Sequence, residues 1–133
     1  MKTKQLLILA ISFIPFVAHA DITIDNHTSS PITGKVGFIC SSYAGESRGV
    51  VEPHNSLPIP QSIVDDYCKK ECTVKVYASK NCGGDSIATV VVDQKNGIDK
   101  NKIQNHNSEG YVVSGSGDHG YIDGGPSWYD WIF

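Results

Sequence analysis

Thr73-Val74-Lys75-Val76-Tyr77-Ala78 and Ile87-Ala88-Thr89-Val90-Val91-Val92 are the two stretches on which the fold turns. In the first, Val74 and Val76 alternate with Lys75 and Tyr77, the two-residue period of a strand with one face toward solvent. The second is an almost unbroken β-branched run, which suits a central strand. Between them, 79–85 is rich in Ser, Asn, Gly and Asp, the residues that make turns. Together the three pieces predict a β-hairpin.

The same theme extends in both directions. Ile22-Thr23-Ile24 alternates like a strand, and 26–31 supplies turn residues. Lys35–Cys40, with Val36, Phe38 and Cys40 on alternate positions, reads as a mostly buried strand. A polar loop follows over 41–49, then a brief extended piece at Val50-Val51 that Pro53 ends. Leu57-Pro58-Ile59-Pro60 is extended or edge-like. Ser62–Lys70 is the best helix candidate: Ser62 can cap, Asp65 sits three residues on, and Lys69 and Lys70 close the last turn. On that helix Ile63, Val64 and Tyr67 would face the core. Residues 93–107 are polar and loop-like, anchored by Ile98 and Ile103, and Tyr111-Val112-Val113 is a further strand. Residues 114–125 hold five glycines and read as a flexible loop.

Many short strands, one short helix and no internal repeat predict a small, mainly β, antiparallel β-sandwich of Greek-key type. Within it, Tyr77 to Gly84 resembles the hairpin of the βγ-crystallins, with Cys82 where that motif usually has an aromatic and with no second copy in the chain. Gly84-Asp85-Ser86-Ile87 resembles the opening of GDSL-type esterases. The likeness ends there, because Asp118-His119 lacks the spacing of that family's Asp and His.

Residues 1–20 have the order of a cleavable secretory signal peptide. Lys2 and Lys4 precede an apolar run from Leu6 to Val17, and Ala18-His19-Ala20 supplies small residues before the cut. The run is shorter than the roughly 20 residues that span a bilayer as a helix. The expectation is one domain over 21–133 in the periplasm or outside the cell, with no integral membrane span. Four cysteines, Cys40, Cys68, Cys72 and Cys82, fall in that part, and an even count in an exported small domain predicts two disulfides rather than a zinc site. Three pairings are open.

The chain carries a net charge of −3, and loss of Lys2 and Lys4 leaves nine basic residues against fourteen acidic ones, or −5. Arg48 is the only arginine. A phosphate-tracking surface needs clustered Lys and Arg, so nucleic acid is not an expected partner.

Three constellations could carry chemistry. Glu46, Arg48 and His54 could join a base, a cation and an acid, as small secreted ribonucleases do. Asp118, His119 and Asp123, with His106 upstream, mix carboxylate and imidazole in a glycine-rich segment, without the spacing of a known metal site. The C-terminal segment 126–133 places Tyr129, Trp131 and Phe133 on alternate positions, similar to the terminal assembly signal of outer-membrane barrels, though strands of barrel length are missing. That segment either completes the core or presents Trp128, Tyr129 and Trp131 to a ligand.

The leading expectation is a non-catalytic exported binding protein, with no cofactor and no metal, acting on a protein or carbohydrate partner. The alternatives are a small secreted hydrolase or nuclease using His54 or His119 with Glu46 or Asp118, and a membrane-active protein acting through its aromatic tail. If the tail is core, 41–49 and 114–125 are where a functional surface would lie.

Overall fold

The structure is a computed structural model and describes residues 21–126. The signal-peptide reading of 1–20 and the aromatic segment with Trp128, Tyr129 and Trp131 lie outside the described residues.

Two sheets face each other. The first has the order β4-β1-β10-β9, built from β1 (Ile22–Asn26), β4 (Ser56–Ile59), β9 (Tyr111–Ser116) and β10 (His119–Gly124). The second runs β3-β2-β5-β6-β7, from β2 (Thr33–Val36), β3 (Ile39–Cys40), β5 (Glu71–Tyr77), β6 (Ala88–Asp93) and β7 (Gly97–Ile98). Strand β8 (Gln104–Asn105) also pairs with β6. A 3-10 turn (Ser41–Ala44) and helix α1 (Glu46–Gly49) follow β3, and helix α2 (Gln61–Tyr67) follows β4. A mainly β, disulfide-bonded sandwich is therefore what the chain forms.

The hairpin read from 73–92 is β5 and β6, with Val74 opposite Val90 and Val76 opposite Ala88. Val76, Ala88 and Val90 are buried and meet Ile22, Val113 and Ile122 of the first sheet. All pairings are antiparallel except one: β1 lies parallel to β10, with Thr23 opposite His119 and Asp25 opposite Tyr121. Parallel neighbours need a long crossover, and here nearly the whole domain supplies it.

Several local expectations change. Lys35–Cys40 is not one strand. Gly37 takes a left-handed φ of 62°, which an L side chain rarely adopts, and reverses the chain so that Val36 pairs with Ile39. Phe38 thus sits at a hairpin tip, 94% exposed, instead of in the core. The helix begins after Pro60, whose φ of −61° suits a helix start, so Ser62 is not its cap. Val64 is buried, but Tyr67 is 49% exposed. Segment 41–49 is two helical turns rather than an open loop, and 114–125 is mostly the β9–β10 hairpin, which turns through Gly117 at φ 63°.

The disulfides are Cys40–Cys82 and Cys68–Cys72. The first ties the end of β3 to the β5–β6 turn, and the second ties the end of α2 to the start of β5.

The sandwich is closed along one side. Ile98 of β7 exchanges backbone hydrogen bonds with Gly117, at 2.8 and 2.9 Å. Beside it the Asn105 side chain acts as a peptide group, donating to the Val113 carbonyl at 3.0 Å and accepting from its N–H at 2.7 Å. Buried Asn26 does similar work at the end of β1. Its Nδ2 donates to the carbonyls of Ser30, Val51 and Glu52, while its Oδ1 accepts from the N–H and hydroxyl of Thr28.

Candidate functional site

On the other side Ile32 and Val51, in the segments leading into β2 and β4, exchange backbone hydrogen bonds at 2.9 Å each, and beyond that bridge the edge is open. Among the described residues no strand pairing joins the edge strands β4 and β3, and between the sheets lies an apolar cavity of about 600 Å³. That volume is in the range of small-molecule sites. Ile24, Leu57 and Ile59 line it from the first sheet, Val36, Val74 and Val92 from the second, and all six are only partly buried despite facing inward. Alternation along the strands aims these side chains at the space. The two sheets do not meet tightly enough to fill it.

Helix α2 contributes Ile63, Val64 and Tyr67 to the wall. Tyr43 of the 3-10 turn and Ile39 of β3 complete the rim. Tyr43 is 80% exposed and Ile39 44% exposed, and Phe38 projects from the hairpin tip beside Ile39. An apolar cleft rimmed by exposed aromatic side chains is the kind of surface that marks a binding site.

The rim is held firmly. The Ser41 hydroxyl donates to the Gly49 carbonyl at 2.5 Å and accepts from the Gly34 N–H at 3.0 Å, so β2, β3 and α1 are pinned together. Gly49 packs so closely on Ser41 that a Cβ there would lie 1.7 Å from the Ser41 carbonyl oxygen. Cys40, next in the chain, is fixed by its disulfide.

A second polar feature lies on the outer face of the first sheet. The parallel register of β1 and β10 brings two imidazole–carboxylate pairs across the same two strands. His119 Nε2 meets Asp25 at 2.8 Å, and His27 Nδ1 meets Asp123 at 2.7 Å. Tyr121 stands between them, stacked on His119 with ring centroids 5.0 Å apart and 6.2 Å from His27. The Ser56 hydroxyl donates to the other Asp25 oxygen. This Ser56 hydrogen bond, then that of His119, holds the Asp25 carboxyl below its usual range. The order is serine–aspartate–histidine, so the hydroxyl touches the carboxylate and not the imidazole that would have to act as its base.

Of the residues singled out from sequence, His119 and Asp123 share that outer-face cluster, and the others are dispersed. Glu46 faces Lys80 at 3.6 Å. His54 occupies an exposed turn at φ 60°, and among the described residues no hydrogen bond or ion pair links it to Glu46 or Arg48. Asp118 sits exposed in the β9–β10 turn, where its carbonyl accepts from Thr23. His106 reaches Thr89 at 3.2 Å. Among the described residues no three His, Cys, Asp or Glu side chains come together to hold a metal. Also among them, no helix is long and apolar enough to cross a membrane.

Sequence reasoning missed Asp25, His27 and Tyr121, because their union with His119 and Asp123 depends on the parallel pairing of strands far apart in the chain. It also missed the cleft. Its one local signal was the run of apolar residues bracketed by prolines at 57–60, which marks an edge strand beside the opening.

No family model matches the chain, and no curated protein matches it. Among solved structures the fold is similar to that of NttC, a type II secretion system substrate of Legionella pneumophila. The TM-score is 0.62 over 79% of this chain and 97% of that one, at 18% identity, a likeness of fold.

Proposed function

We propose that the protein is an exported, non-catalytic binding protein that takes an apolar chain into the cleft between its sheets. The observation that carries this reading is the cavity of about 600 Å³ walled by half-buried Ile, Leu and Val side chains and rimmed by exposed Ile39, Tyr43 and Tyr67. Leaving such surface in water is unfavourable by roughly 25 cal/mol per Å². A ligand that covers it recovers that free energy.

Export is supported by the charged–apolar–small order of residues 1–20, by two disulfides and by the fold shared with a secreted substrate. The aromatic segment around Trp128, Tyr129 and Trp131 is a second place where a partner could dock, on the strength of its sequence.

The test is titration of the disulfide-bonded protein with a polarity-sensitive dye, followed by displacement with straight-chain amphiphiles. Saturable binding that weakens at least tenfold in Val74→Phe and Val36→Phe is the expected result. Two folded variants that bind as the parent does would move the site elsewhere.

A further inference from the structure

The cleft is almost uncharged. Among the described residues that line it, Arg48 alone carries a charge, and it is the only arginine in the chain. Arg48 lies in α1 at the rim, on the turn that Ser41 and Gly49 pin to β3. Among the described residues it forms no ion pair: the nearby Glu46 faces Lys80 instead. The rim thus presents one uncommitted guanidinium beside an apolar cavity, on a protein whose net charge is negative. Tyr43, Ser47 and Tyr67 line the same cleft.

We infer that the ligand is a fatty acid, its hydrocarbon chain in the cleft and its carboxylate on Arg48. This rests on the apolar-cleft reading above and adds the head group. Guanidinium and carboxylate match in shape and form paired, charge-assisted hydrogen bonds. One cation matches one carboxylate, and the cavity volume suits a single chain rather than a two-tailed lipid. A rigid turn delivers Arg48 without the ordering cost of a mobile loop.

Calorimetric titration at neutral pH with dodecanoate and with dodecanol separates the two parts. The acid should bind about tenfold more tightly than the alcohol, a difference equal to roughly 1.4 kcal/mol. Arg48→Gln should remove that difference, and Arg48→Lys should keep part of it. Affinity for the acid should fall as salt is raised. Among longer and shorter acids, binding should change by up to about fourfold per methylene.

If the acid and the alcohol bind equally and Arg48→Gln changes nothing, the head-group assignment is overturned and the cleft reading stands. If neither binds, both are overturned. A Trp128→Ser/Trp131→Ser variant that gains affinity for both probes alike would make the chain's own end the occupant. A dimer that Tyr43→Asp splits, with no acid bound, would make it a second copy. Either result overturns the inference.

Discussion

The Asn26 side chain holds four backbone groups from two segments. It is 1% exposed, and its amide group joins β1 to the turn at 28–30 and to the strand leading into β4. Asn26→Ala removes five hydrogen bonds; the Ser30, Val51 and Glu52 carbonyls keep Thr28, Ile32 and Asn55 as donors, but the buried Thr28 N–H loses its acceptor, a loss that costs on the order of 1–3 kcal/mol. The variant should lower the urea midpoint by an amount worth roughly 2–3 kcal/mol. Asp25 makes a different prediction. Its carboxyl is held low in the folded state, so its contribution is present above the ordinary aspartate range and is lost as pH falls through that range and the folded value. Parent and Asp25→Asn should therefore differ most in stability near neutral pH and converge as pH falls through the ordinary aspartate range and then below the folded value. Denaturant midpoints measured across that interval check the sign: a difference that widened in acid would contradict it.

At the scale of elements, the two disulfides should not be equivalent. Cys40–Cys82 closes a span of 42 residues and Cys68–Cys72 a span of 4. On loop-closure entropy alone the first should stabilise by about 4 kcal/mol and the second by about 2 kcal/mol. Thermal unfolding of the Cys40→Ala/Cys82→Ala and Cys68→Ala/Cys72→Ala variants would show whether that order holds. The pairing itself could not be read from spacing, since three pairings fit the four positions equally. The β5–β6 hairpin could be read, because alternation at 73–78 and a β-branched run at 87–92 are local signals. The break at Gly37 was hidden because Val36, Phe38 and Cys40 mimic the alternation of one strand, whereas the turn places Val36 with Ile39 on one face and Lys35 with Cys40 on the other. The β9–β10 hairpin was hidden by its glycines, which are there for close backbone approach: a Cβ on Gly115 would lie 2.4 Å from the His119 carbonyl oxygen.

At the scale of the whole molecule, the cleft follows from an asymmetry between the two sides of the sandwich. Asn105 and Ile98 bind one side through Val113 and Gly117, whereas on the other side Ile32 and Val51 bridge the sheets near one end and no pairing among the described residues joins β4 to β3. No short window of sequence contains that information, because each of those contacts joins distant segments. A ligand in the cleft bridges the two sheets and stabilises only the folded chain. At a hundredfold excess over its Kd a fatty acid should add about 2.7 kcal/mol, seen as a rise in Tm that grows with ligand concentration. The parallel neighbours β1 and β10 have a consequence for how the chain folds. Asp25 and His119, which touch, are 94 positions apart. Of the described strands β1 comes first and β10 last, so the first strand waits for its parallel partner until the length between them is free to fold. Folding of the described sheets is therefore completed late, and β10 acts as the latch that sets them in their native form.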